Sequence, residues 1–228
     1  MTVAVGSIIG LLAGSAIPES YKSVAISGLG LVTVGLAIRM FLQVRDLLVV
    51  AAAVAIGGIV GKAIGIDAGV DSLAEFLKGH FAGGKNFNDG LITASILFCV
   101  GPMTLLGCIQ DGLEGKIELL SIKSLMDGIA SIFFAAALGH GVLVSALIVL
   151  VFQGTLTLGA SYLKPIASDE SLMADLSGSG GAILLGTGFG LLGILHLRTE
   201  IYLPALILSP VLVWVTRRIQ KPANIAQS

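Results

Sequence analysis

Phe87-Asn-Asp-Gly-Leu-Ile-Thr-Ala-Ser-Ile-Leu-Phe-Cys-Val-Gly-Pro-Met-Thr-Leu-Leu-Gly-Cys-Ile-Gln-Asp-Gly112 is the stretch on which the fold turns. From Leu91 to Ile109 it is apolar and close to the roughly 20 residues that a helix needs to cross a bilayer. Yet Gly101-Pro102 stands in its middle. A proline inside a helix removes a backbone donor and frees the carbonyl four residues earlier, here that of Phe98. At membrane depth a free carbonyl is tolerated only inside protein or against a water-filled cavity. Thr93, Ser95 and Thr104 add hydroxyls along the same segment. The stretch therefore reads as a broken spanning helix that coordinates a cation or a polar substrate. The plainer reading is a kink fitted to its neighbours.

The rest of the chain has the same character. Of 228 residues, 55% are hydrophobic and 12% are charged, and the mean hydropathy is +1.00. A soluble domain carries about 25% charged residues, so this surface must face something apolar. Glycine is abundant, at 31 residues. In lipid, small residues let helix backbones approach closely, so this content points to tight helix seams. The net charge of −1 leaves no nucleic-acid footprint. Cys99 and Cys108, about 13 Å apart if they share one helix, are too distant for a disulfide. No cleavable signal peptide is expected, because the first segment lacks a basic leader.

Eight apolar segments follow one another: Thr2–Ile17, Val24–Leu42, Leu47–Ile64, Leu91–Ile109, Leu119–Leu138, Val142–Leu163, Gly180–Leu195 and Ile201–Val215. Between the third and fourth, the stretch Asp67–Lys78 with Phe81 after it carries Val70, Leu73, Leu77 and Phe81 as one stripe. That pattern suits a helix on the membrane surface. Glu19-Ser20, Gly30-Leu-Val-Thr-Val-Gly35 and Arg45-Asp46 reappear as Glu170-Ser171, Gly181-Ala-Ile-Leu-Leu-Gly186 and Arg198-Thr-Glu200, at offsets of 151 to 153. Segments one to three (1–64) thus read as a repeat of six to eight (142–217), around two central helices (88–138); the plainer reading is chance, since Gly-rich apolar helices align easily. An odd number of crossings separates the copies, so they are inverted, the build of many secondary transporters. The expected fold is an all-α polytopic helix bundle forming a single transmembrane domain, residues 1–228. Arg39, Arg45, Lys116, Lys123, Lys164, Arg217, Arg218 and Lys221 lie inside if the N-terminus does, against Lys22, Lys62, Lys78, Lys85 and Arg198 outside.

Further polar groups lie within or beside the spans. Lys123 and Asp127 are four apart and share a helix face. Asp127 falls about one turn inside the apolar zone, where an unpaired charge is costly. Ser124 lies between them in the run Lys123-Ser-Leu-Met-Asp127, and Gln110 and Asp111 lie across the same short connection. This set forms either a pair at a cavity or an interfacial helix cap. Gln153 and Thr155 in segment six read as interhelical hydrogen-bonding glue. Ser177-Gly-Ser-Gly-Gly181 opens segment seven and reads either as an anion site at a helix start or as a flexible entry loop, with Asp175 nearby arguing against an anion. His140 and His196 have no companions at metal-ligand spacing. No nucleotide or hydrolase motif is present, so neither a metal, a cofactor nor enzymatic activity is expected. Transport, if any, draws on a gradient.

Ile96-Leu-Phe-Cys-Val-Gly-Pro-Met103, Gly107-x-Ile-Gln-Asp-Gly-Leu113, Lys123-Ser-x-x-Asp-Gly128 and Gln153-Gly154 resemble the bacterial family of domain of unknown function 554, the YdfK- and YqgA-like membrane proteins. Gly28-x-Gly30, Gly57-Gly58 and Leu203-Pro-Ala-Leu206 extend the resemblance over nearly the whole chain. Members often open with Gly-Thr-x-x-Asn, whereas this sequence opens with Met1-Thr-Val-Ala4, either as a natural variant or because the N-terminus is shortened. The resemblance implies a multi-pass inner-membrane protein of transporter type, with no established substrate or catalytic residue.

The reading is a transporter or channel for a small solute or ion, with its site near mid-membrane. The candidate residues are Thr93, Ser95, Phe98, Gly101, Pro102, Thr104, Gln110, Asp111, Lys123, Ser124, Asp127, Gln153 and Thr155. Its partners are the lipid bilayer, the solute and a second copy of the chain, because Gly6, Gly10 and Gly14 mark a close-packing face. The alternative is a non-transporting sensor or partner-binding module with a dry core.

Overall fold

Aspartate side chains cap two of the helices, and glycine ends several. In the computed structural model, which describes residues 1–15, 17–80, 86–100, 102–195 and 197–225, the elements are α1 (Thr2–Gly14), α2 (Glu19–Phe41), α3 (Leu47–Ile64), α4 (Ile66–His80), α5 (Phe87–Cys99), α6 (Pro102–Glu114), α7 (Glu118–Leu138), α8 (His140–Leu158), α9 (Ala160–Ala167), α10 (Glu170–Leu191), a 3-10 turn (Thr199–Tyr202) and α11 (Ala205–Ile225). No strand occurs among the described residues. Asp46 caps α3 by accepting from the N–H groups of Leu48 and Val49, and Gly65 ends it at φ +77, a left-handed conformation that glycine adopts without strain. Asp169 caps α10 in the same way. α5 stops at Cys99 because Val100 is extended, and α6 begins at Pro102, a position where the missing N–H is no loss. The axes of α5 and α6 differ by 58°.

Among the described residues, five helical segments are long and apolar enough to cross a membrane: Ser20–Phe41, Leu47–Ile64, Glu118–Leu138, His140–Leu158 and Thr199–Thr216. The bent pair α5–α6 makes a sixth if it is one span. Their outward faces carry Val32, Leu48, Ile59, Leu150 and Trp214, all exposed, which is what a surface bathed in hydrocarbon requires. This is a multi-pass membrane protein. α1 is apolar but short, and α10 is long but polar for a span. α10 tolerates that polarity because α2, α3, α9 and α11 surround it and its Ser and Gly residues from Ser177 to Gly181 are buried.

Small residues set the seams. α1 runs parallel to α7, with Thr2 beside Ser124 and Gly14 against Ala136. A Cβ on Gly6 or Gly10 would collide with the carbonyl of Gly128 or Ile132. Gly181 and Gly188 of α10 meet Ala37 and Val34 of α2, running antiparallel. Gly57 and Gly61 of α3 meet Ala205 and Ile201, and Gly141 of α8 meets the Phe87 carbonyl of α5. One end of the bundle joins the α2–α3 turn to α10 through Arg45–Glu170, 3.2 Å. The opposite end carries α4, the 3-10 turn and the one-residue turn at Gly139.

Several expectations need correction. Segment seven starts at Glu170, not Gly180, so Ser177–Gly181 lies inside a helix and its backbone N–H groups are not free for an anion. Segment six divides at Gly159 into α8 and α9. Cys99 and Cys108 sit on different helices and are both free. The inward stripe of α4 is Asp67, Val70, Ala74 and Leu77, whereas Leu73 is exposed; Phe81 lies outside the described residues. The Gly6–Gly10–Gly14 face is buried on α7 within one chain, so it no longer argues for a second copy. His196 and Gly101 also lie outside the described residues.

Candidate functional site

Pro102 cannot donate to Phe98, and α5 ends one residue beyond Phe98, so this carbonyl needs another partner. It finds two. The Lys123 ammonium donates to it at 2.8 Å, and the Thr104 hydroxyl at 3.3 Å. Lys123 reaches back from α7 while also pairing with Asp127, one turn further on. Lys123 is only 7% exposed, and the two side chains of the pair are 9% and 13% exposed. A buried pair of this kind holds only if hydrogen bonds complete it, and the broken helix supplies the missing acceptor. Beside it, Ser124 Oγ and Thr2 Oγ1 lie 2.7 Å apart. The Ser131 hydroxyl lies 2.7 Å from the Gly128 carbonyl and 3.1 Å from that of Val3. This polar node fixes α1, α5, α6 and α7 to one another.

A polar cavity lies elsewhere. It occupies about 380 Å³ at the α4 end, between α5, α10 and the 3-10 turn. Thr93, Thr199 and Glu200, each 4% exposed, are among its buried polar lining groups. Asp89 stands one helical turn above Thr93 on the same face of α5, and Thr187 and Thr199, with hydroxyls 3.2 Å apart, form the opposite wall. Arg198 at the rim donates through Nε to Glu200 at 3.1 Å, pairs with Asp71 and lies 3.6 Å from Asp67. Asp67 is itself bonded to Lys62 at 2.6 Å, and this hydrogen bond holds its carboxyl below the ordinary value of 3.8. Below Thr93 the way is shut. Ala94, Phe98, Phe134 and Leu138 pack together, with the two phenyl rings edge to face at 6.4 Å. Thr93 and the node thus lie on opposite sides of an apolar layer.

The structure brings together Phe98, Thr104, Lys123, Ser124 and Asp127, with Pro102 at the helix start beside them. It sets Thr93 apart in the cavity, where one site joining it to Asp127 was expected. Ser95 is half-buried, and its buried hydroxyl oxygen has no partner. Gln110 and Asp111 are half-buried near the far end of α6, where Gly112 packs on Thr157. Thr155 is exposed and donates to Val151 of its own helix, so it does not glue helices together; Gln153 is half-buried on the same helix. The reading from sequence missed Asp71, Asp89, Thr187, Thr199 and Glu200. Arg198-Thr199-Glu200 was visible only as a marker of the repeat. No group of three or more His, Cys, Asp or Glu among the described residues is arranged to hold a metal.

The family described as protein of unknown function (DUF554) matches residues 1–214. The chain belongs to that family. It is 30% identical over 215 residues to the uncharacterized membrane protein YdfK of Bacillus subtilis (strain 168), covering 92% of this chain and 91% of the relative. To the uncharacterized protein YqgA of Escherichia coli (strain K12) it is 28% identical over 213 residues, covering 91% and 90%. No solved structure matches it.

Proposed function

We propose that this protein is a transporter or channel that moves a small solute or ion across the inner membrane without ATP and without enzymatic chemistry. The observation that carries this reading is the polar cavity at the α4 end, lined by Thr93 and by Leu138, which packs in one apolar cluster with Phe98 and Phe134. A polar pocket that ends on a thin apolar layer, with a broken helix and a charged pair beyond it, has the ingredients of a gated path. Lys123 occupies the place where the freed Phe98 carbonyl would otherwise hold a free cation. Opening the path would separate Phe98 from Phe134 and let water reach the node.

Eight crossings built as inverted repeats accord with this function. Both matched Glu-Ser pairs begin helices, α2 and α10. Exchange α1 with α8, α2 with α10, α3 with α11 and α5 with α7. The close pairs α1–α7 and α5–α8 then swap, while α2–α10 and α3–α11 map onto themselves. A two-fold relation between the halves requires that pattern. Superposing 1–64 on 142–217 checks it.

The test is flux. Proteoliposomes holding the full chain are challenged with sodium, methylammonium and small neutral solutes. At least one should cross faster than in protein-free vesicles, and Thr93→Trp, which fills the cavity floor, should abolish that flux. A folded protein that passes none of them favours the sensor reading, which the mutually satisfied polar groups of the node support.

A further inference from the structure

The free polar groups of the cavity are unbalanced in one direction. Three carboxylates line it, Asp71, Asp89 and Glu200, against the single guanidinium of Arg198. That guanidinium is consumed, because its nitrogens already serve Asp71 and Glu200. Asp89, exposed at the mouth of the cavity, has no ion-pair partner among the described residues. Two more sheltered oxygens point to a missing ligand. Asn88 Oδ1 is buried and accepts no hydrogen bond. Thr93, though 4% exposed, returns no hydrogen bond to its own helix, unlike Thr33, Thr187 and Thr216. Asp89 and Thr93, four apart on α5, stack along one face of the cavity. Buried polar groups are satisfied as a rule, and oxygens left over in a site call for a donor.

We propose, on the reading that this cavity is the mouth of the path, that its ligand is a small organic monocation: an ammonium group on a compact apolar body. The ammonium sits between Asp89 and Thr93, with Asn88 Oδ1 within the same polar wall. Ammonium carries three donors and no acceptor, which matches a set of oxygens with no free guanidinium. Ile92, Leu138 and Leu191 line the same space and take the apolar body. The volume of about 380 Å³ is far larger than a bare metal ion fills and is in the range of small-molecule pockets. An anion is disfavoured, because it would displace Arg198 from two carboxylates and meet Asp89 unscreened.

Binding is measured by calorimetric titration of the full chain in detergent with three probes that share one alkyl chain: n-butylammonium, butyrate and 1-butanol. Butylammonium should bind saturably. Asp89→Asn and, separately, Thr93→Val should each weaken it, the first by about tenfold or more. Lys116→Gln, at the opposite end of the bundle, should not. Saturable butyrate binding overturns the proposal, as do equal affinities for all three probes, an Asp89→Asn variant that binds as tightly as the parent, or no saturable binding. Competition by sodium at equal concentration also overturns it, since the site is then a metal-ion site. Butylammonium binding without flux removes the transport reading and leaves this site standing. Flux of a neutral solute without butylammonium binding does the reverse.

Discussion

Lys123 is the residue on which the centre of the molecule depends. Its ammonium closes two deficits at once, the Phe98 carbonyl that Pro102 strands and the carboxylate of Asp127. Replacing it with Met keeps much of the stem but leaves a buried acceptor and a buried charge alone. The expected cost is on the order of 3 kcal/mol, read as a lowered unfolding midpoint in detergent. Adding Asp127→Leu to Lys123→Met should recover part of that loss, because an apolar pair needs no partner. If the single variant is as stable as the parent, the node does not hold the helices together. Much of this was legible in the sequence. The spacing of Lys123 and Asp127 and the position of Pro102 identify both ends of the interaction. That they meet was not legible, because a long lysine can point along its own helix or across to another, and only packing decides.

At the scale of the element, glycine patterns reveal that a helix packs closely but not against what. Gly6, Gly10 and Gly14 form one face of α1, and a second copy of the chain was a reasonable partner. The partner is α7, whose Gly128 and Ala136 leave matching space. Gly10→Val therefore pushes α1 off Ile132 and Ala135. It should destabilise the protein by about 1–3 kcal/mol, as overpacking does. Gly28→Val, at a glycine with open space around it, serves as the control with a much smaller effect. Equal stability of the two variants would mean that α1 is not seated as described. α10 misled the sequence reading in the opposite way. Its Ser177–Gly181 run looks like a loop by composition, because glycine and serine are turn formers in water. Inside a bundle the same residues are the ones that let four helices crowd around a fifth.

At the scale of the whole molecule, the broken helix divides two polar regions. The sequence pointed to a single wet site; the structure has an open cavity ending at Thr93 and a closed, self-satisfied node beyond Phe98. Composition and segment spacing made the membrane fold legible, and Pro102 located the node. The cavity was not legible, since its walls come from α4, α5, α10 and the 3-10 turn, whose meeting is a matter of tertiary structure. The central claim is that Thr93 lies on a path reachable from water at the α4 end. With Cys99 and Cys108 replaced by Ala, a Thr93→Cys variant in oriented membrane vesicles can be exposed to a membrane-impermeant cationic thiol reagent from either side. Reaction is expected from the α4 side, slowed by Thr187→Trp, which narrows the same cavity. A thiol at this position that stays unreactive from both sides, in a protein that remains folded, would contradict it.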